Sequence, residues 1–257
     1  MLYFSWWYIL NYDIYVLLNS IEEKDYKAYV VGGFVRDHLL GFSNTDVDIV
    51  TDAPVEVIKS LFFSYNPQVF KNNTVMFKYL NYDIDIAQIR EETYENGLVK
   101  VTFTSDLEKD YNRRDFTINA LYMDKDGNTF DYGTSEDDIN NLRLKFIGDS
   151  QEKCVNDPSR ILRGIYFILK YDLKDYSDLF SVKLSINDFK SCDINLLNKS
   201  LYKILKLNKN GDFVLLLDKC NIYDILFKNR SNNNDLKPID FLKNNEYIFI
   251  DSITGKI

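Results

Sequence analysis

Residues 28–52 read AYVVGGFVRDHLLGFSNTDVDIVTD, and this stretch decides the fold. An apolar, β-branched run ends in Gly32-Gly33, a short amphipathic segment follows, and a second apolar run opens with Asp46 and Asp48. Carboxylates at i and i+2 on a strand share one face. Two like charges held that close are unfavourable unless a cation sits between them. The double glycine lets backbone approach an anion closely, and the helix after it offers unpaired N–H groups and a positive dipole end. Carboxylates for a metal beside a cradle for phosphate imply a nucleotide-handling site.

Composition bounds the rest. A chain of 257 residues, 46% hydrophobic and 27% charged, can bury a real core as one large domain or two modest ones. Cys154, Cys192 and Cys220 are widely spaced and form no C-x-x-C, which reads as free thiols in a reducing compartment, the cytoplasm or an organelle matrix. His38 is the single histidine and reads as a plain helix residue, so a His-rich metal site is excluded. The aromatic N-terminus lacks a basic leader and is interrupted by Asn11, Asp13 and Asn19 too early for a membrane span. Leu2, Trp6, Ile9, Val16 and Leu17 recur near helical period, which predicts a helix packed on the first strand. The net charge of −8 is awkward for a partner of RNA, whose phosphates need Lys and Arg, but the surplus acid lies before residue 111. Lys199, Lys203, Lys206 and Lys209 follow helical spacing, either as a basic stripe over phosphates or as a solvated face.

Ala53-Pro54 predicts a helix start, and residues 68–79 two short strands about Asn72-Asn73. YDIDIAQIR, from Tyr82, alternates as a half-buried strand, 91–110 reads as a polar loop or lid, and Asp126-Gly127 marks a hairpin. From about residue 149 helical periodicity dominates, in ILRGIYFILKY, INLLNKSLYKILKL and DFVLLLDKCNIYDILF, before an Asn-rich linker at 231–235.

The order Val31-Gly32-Gly33-Phe34-Val35-Arg36-Asp37, Leu39-Leu40-Gly41, Asp46-Val47-Asp48-Ile49-Val50-Thr51 resembles the head of the class II tRNA nucleotidyltransferases (CCA-adding enzymes) and bacterial poly(A) polymerases, in the polymerase-β-like superfamily. Three later blocks extend the resemblance over roughly residues 25–170: RRDFTINALYMD from Arg113, DYGTSEDDINNLRLKFIGD from Asp131, and NDPSRILRGIYF from Asn156. The resemblance implies an α+β fold, with a polymerase-β-like nucleotidyltransferase head of mixed sheet and helices, an all-α neck and a shortened C-terminus. The expected domains are a head over 1–146, a neck for nucleobase recognition and RNA contact over 147–230, and a linker with a short C-terminal segment over 231–257.

It further implies template-independent addition of C and/or A from CTP and ATP to the 3′ end of tRNA, by two-metal in-line transfer. Asp46 and Asp48 are the expected catalytic residues and ligands to Mg²⁺, since hard oxygen suits that ion. Asp85 reads equally as a third carboxylate or a surface aspartate. Gly32 and Gly33 are expected to meet the β- and γ-phosphates. Arg36 either contacts phosphate or braces the cradle through Asp37, with bracing slightly favoured. Arg113, Arg114 and Asp115 are expected to hold triphosphate or sugar, and Asn119 to bond locally or reach the ribose. Asp157 and Arg160, with Arg163 beyond, are expected to read the incoming base in place of a template. The carboxylate would accept from the amino group of C or A, and the guanidinium would donate to the ring nitrogen. Asp157 before Pro158 is also a well-formed helix cap, and both roles can hold at once.

The chain departs from the family pattern at Asn156, Gly164, Tyr166 and Lys145, and the stretch after Arg90 lacks the usual basic element, which makes terminal A addition less secure than C addition. The short C-terminus leaves room for a homo-oligomer or a partner subunit to supply the missing RNA grip. Alternatives are a CC-only, A-only or poly(A) polymerase, a catalytically silent RNA-binding relative, and a nucleotidyltransferase acting on protein or a small molecule.

Overall fold

A computed structural model describes residues 12–95, 98–190, 194–207 and 212–227. The chain resolves into two compact units, one ending at Asn141 and the other beginning at Leu142.

The first unit opens with α1 (Tyr12–Glu22), β1 (Ala28–Val31), α2 (Gly33–Leu39), β2 (Asp46–Thr51) and α3 (Val55–Leu61). It continues through β3 (Gln68–Phe70), β4 (Thr74–Tyr79), β5 (Tyr82–Gln88), β6 (Arg90–Glu95), β7 (Leu98–Phe103) and α4 (Leu107–Arg113). A hairpin of β8 (Tyr122–Met123) and β9 (Thr129–Phe130) precedes α5 (Ser135–Asn140). Seven strands form one sheet in the order β3-β4-β5-β2-β1-β8-β9. The β2–β5 pair is parallel and the other neighbours are antiparallel. Strand β2 lies at the middle because it is buried on its core face by Val47 and Ile49 and wholly buried at Val50 and Thr51. Ile14, Leu17, Leu18 and Ile21 give α1 its buried stripe, and it packs on β1. Val16 falls beside that stripe, so only Leu17 of the expected set belongs to it; Leu2, Trp6 and Ile9 lie outside the described residues. Asn72 and Asn73 both take positive φ, 57° and 55°, and close the β3–β4 hairpin.

The polar stretch after Arg90 is no loop. β6 and β7 pair antiparallel from Arg90↔Phe103 to Glu95↔Leu98, and α4 follows and packs on β6. Thr93, Tyr94, Val99, Val101 and Phe103 are strand formers, and Asn96-Gly97 is a hairpin signal; the density of charge masked both.

The second unit is helical: α6 (Ser150–Asn156), α7 (Ser159–Tyr171), α8 (Ser177–Phe180), α9 (Ile186–Lys190), α10 (Ile194–Leu207), α11 (Asp212–Lys219) and α12 (Tyr223–Phe227). Ile161, Leu162, Ile165 and Ile168 of α7 are buried, as are Leu197, Leu201 and Ile204 of α10, and the two helices pack together. The run expected as one helix from Asp212 is broken, because Asn221 takes φ 55° and separates α11 from α12. Cys154 and Cys220 are buried, neither in a disulfide, and burial pushes the Cys220 thiol up to about 12. Cys192, Lys209 and the 231–235 linker lie outside the described residues. No helix among the described residues is long and apolar enough to cross a membrane.

Candidate active site

Parallel pairing of β2 with β5 sets Asp46 opposite Asp83 and Asp48 opposite Asp85. Because Val47, Ile49, Ile84 and Ile86 take the core side, period-2 alternation puts all four carboxylates on the other face. Lys78 from β4 claims Asp83 with an ion pair of 2.6 Å. Among the described residues no hydrogen bond or ion pair engages the carboxylates of Asp46, Asp48 or Asp85.

The electrostatics register that crowding. Asp48 keeps solvent access from the cleft, but the head packs densely around it and burial raises its carboxyl above the usual range. Arg114 pulls the other way and Asp46 adds to the rise. Burial, then Asp48, Asp46 and Asp83, push Asp85 up to about 6. A divalent cation with oxygen ligands would remove the repulsion. Among the described residues no group of three or more His, Cys, Asp or Glu side chains is placed to hold a metal ion. Asp46 and Asp48, on one face of β2, offer hard oxygen donors of the kind Mg²⁺ takes together with water and phosphate oxygens, so the residues fit the ion.

A raised folded pKa has a sign. Its stabilising contribution is complete below the unfolded value and is lost as pH rises through the folded one, about 6 for Asp85. In chelator, the thermal midpoint of Asp85→Asn minus that of the wild type is therefore expected to grow from about pH 5 to about pH 7. A difference independent of pH would show that Asp85 feels no such crowding.

Gly32 takes φ 79°, ψ −137°, and a Cβ built there would lie 3.0 Å from Asp48 Oδ2. Gly32 thus brings bare backbone against Asp48, while a Cβ at Gly33 would stand 3.4 Å from the Arg36 guanidinium and the Asn44 amide. Arg36 is buried and donates to Asp37 Oδ1 from Nε at 3.0 Å and from its terminal nitrogen at 2.9 Å, forming an ion pair. It also donates to the Asn119 side-chain oxygen. Asn119 in turn donates to Asp115 Oδ1 at 3.4 Å, an oxygen that also accepts from the Phe116 N–H at 2.8 Å. Asn44 joins cradle to strand: its amide donates to Asp37 Oδ2 and its carbonyl accepts from the Asp46 N–H, both at 2.9 Å.

Arg113 and Arg114 are partly buried and share one carboxylate, Asp110, at 2.7 Å and 2.8 Å. Arg113 also stands 3.6 Å from Glu92 on β6. Asp110 escaped the sequence reading, although its place three and four residues before the two arginines on a helix was a legible signal.

In the second unit, Pro158 has helical dihedrals (φ −61°, ψ −19°), and Asp157 Oδ1 accepts from the Ser159 N–H at 3.1 Å and its hydroxyl at 2.5 Å. The capping geometry is present. Asp157 Oδ2 lies 3.0 Å from Arg163 and 3.7 Å from Arg160 Nε. Arg160 is 6% exposed and donates to the Lys153 carbonyl at 3.2 Å. Asp157 and Arg163, with Tyr166, Lys199 and Lys203, line a cavity of about 600 Å³. Tyr166 and Ser200 are cavity residues that no spacing argument singled out for binding.

Fold and carboxylate strand together define a nucleotidyltransferase head of the polymerase-β-like class. Residues 28–145 match the family described as Poly A polymerase head domain. Over 207 residues the chain is 33% identical to the CCA-adding enzyme of Staphylococcus haemolyticus, covering 79% of this chain and 52% of that one. A solved CCA-adding enzyme in complex with CTP superposes at a TM-score of 0.69 with 26% identity, over 86% of this chain and 53% of the other. The Thermotoga maritima CCA-adding enzyme complexed with tRNA does so at 0.68 with 24% identity, over 90% and 55%. The chain belongs to the family of class II CCA-adding enzymes and poly(A) polymerases. It spans about half the length of the curated relatives it matches. Nucleotidyltransferases of this family typically use a divalent metal.

Proposed function

We propose that this chain is a template-independent nucleotidyltransferase that adds C and A, from CTP and ATP, to the 3′ end of tRNA. The observation that carries the reading is the set of Asp46, Asp48 and Asp85 on one face of paired strands, with Gly32 packed against Asp48. Asp46 and Asp48 would hold Mg²⁺, with Asp85 as a third carboxylate beside them. When bound, the metal supplies Lewis-acid stabilisation of oxygen charge during in-line displacement. The Gly32-Gly33 backbone lets a triphosphate approach the carboxylates, and Arg114 and Arg113 offer it planar guanidinium donors. The Arg36–Asp37–Asn119–Asp115 network keeps that cradle rigid. Asp157 presents an acceptor and Arg163 a donor for the edge of the incoming base, with Arg160 behind them at 3.7 Å from Asp157, which suits the amino group and ring nitrogen of C and A. Uracil and guanine would turn a carbonyl toward the carboxylate. Relatives solved with CTP, with ATP and with tRNA support this assignment.

Purified protein incubated with Mg²⁺, each labelled NTP, and tRNAs ending before, within or after CCA tests the reading. Incorporation of C and A confined to incomplete ends supports it. A CC-only, A-only or poly(A) pattern would move the chain within the family, and no incorporation on any RNA would remove the assignment.

Base reading has its own test. Asp157→Asn keeps an acceptor for the helix cap and loses only a partly exposed ion pair, so stability should change by no more than about 1 kcal/mol. Discrimination against UTP should fall by about tenfold or more. Unchanged nucleotide preference would leave Asp157 with the cap alone.

A further inference from the structure

Asp110 is wholly buried, and its carboxylate is saturated by donors. Oδ1 accepts from Arg113 Nε at 2.8 Å, and a terminal nitrogen of the same guanidinium stands 2.7 Å away as an ion pair. Oδ2 accepts from Arg114 through Nε at 3.0 Å and a terminal nitrogen at 2.8 Å. The Tyr122 hydroxyl donates to the same Oδ2 at 2.9 Å and accepts from Arg114 Nε at 3.1 Å. Four hydrogen bonds and one further ion-pair contact on two oxygens exceed what a surface ion pair holds, and two side chains of great rotamer freedom are pinned by one anchor. Burial alone would raise this carboxyl, but Arg114 and Arg113 outweigh it and hold it down to about 2, so the anchor stays charged. Arg114 lies in a cation–π contact with the Tyr122 ring, 5.3 Å from its centroid, which fixes the plane of the guanidinium as well as its place. The same arginine is the foremost charge opposing the rise at Asp48.

We propose that Asp110, with Tyr122 as its brace, is the positioning residue that aims the Arg113–Arg114 pair at the triphosphate beside Asp48. This rests on the nucleotidyl-transfer reading above. The competing role, a buried ion cluster that only holds α4 in place, makes a different forecast. In Asp110→Asn the two guanidiniums keep their charge and lose their aim. Per folded molecule, kcat for C and A addition to tRNA lacking CCA should fall about 10²-fold, with KM for the triphosphate unchanged or lower. Tyr122→Phe, nearly isosteric, should show the same split with a fall of about tenfold. It carries the test if Asp110→Asn does not fold.

A spectroscopic arm is independent of turnover. Bound ATP is expected to give shifted ³¹P resonances in the wild type that move in either variant. Wild-type kcat per folded molecule together with unaltered ³¹P shifts would overturn the positioning role. Wild-type protein that binds ATP without transferring it would sink the nucleotidyl-transfer reading, and the ³¹P comparison would still decide the role of Asp110. Protein that binds no triphosphate would sink both.

Discussion

Asp48→Asn is expected to lower nucleotide incorporation by about 10³-fold or more, while the metal-free protein becomes no less stable. Ordinary loss-of-function substitutions at sheet centres cost stability, so the pairing of these outcomes is diagnostic. Asp48 lies at the register position facing Asp85 and two residues from Asp46, and no cationic side chain among the described residues forms an ion pair with it. Removing its charge relieves repulsion among crowded carboxylates and would take away one of the two proposed Mg²⁺ ligands. Thermal melts in chelator and in Mg²⁺ check both halves. The wild type should gain thermal stability on adding Mg²⁺, by mass action on the folded state, and the variant should gain less. Equal gains in both proteins would show that the ion does not sit at Asp48.

Gly32→Ala should be the most damaging change in the cradle. Its φ of 79° with ψ −137° is a backbone conformation for which an L side chain costs about 1–3 kcal/mol, and the added Cβ would crowd Asp48 Oδ2 at 3.0 Å. Displacing that oxygen should lower incorporation about 10²-fold. Gly41→Ala is the control. Gly41 also has positive φ, 76°, but a Cβ there meets nothing within 4 Å. It should lose about 1 kcal/mol of stability and keep full activity per folded molecule. Similar activities in the two variants, measured alongside urea unfolding, would reduce the role of Gly32 to backbone conformation.

How much of this was legible in the sequence follows from which interactions are local. The alternation of Asp46, Val47, Asp48 and Ile49 writes the strand and its two faces into four letters, because side-chain direction on a strand has period two. Asn72-Asn73 and Asp126-Gly127 likewise announce turns through the positive φ those residues tolerate. Asp85 was left between two readings because only the β2–β5 register, a long-range pairing, brings it level with Asp48. The β6–β7 ribbon reads as a loop in sequence because its charges hide a strand pattern that buries little. The break at Asn221 is not legible, since the apolar periodicity runs through CNIYDILF and nothing there marks its one asparagine as left-handed rather than helical. Asp110 is legible at helical spacing from its arginines, as the counter-charge that two partly buried guanidiniums require. In the helical unit, the Arg160 side chain turns to the Lys153 carbonyl while Arg163 lines the cavity with Asp157, a sorting that depends on helix packing rather than on spacing.

The acidic residues stand on two neighbouring central strands that are joined through a crossover of two hairpin strands and a helix rather than a tight turn. Asp46 and Asp48 share a strand, but Asp85 comes level with them only after the intervening segment has folded and β5 has paired with β2. A turnover that depends on all three carboxylates would thus report the closing of that one long-distance pairing rather than the local structure of either strand.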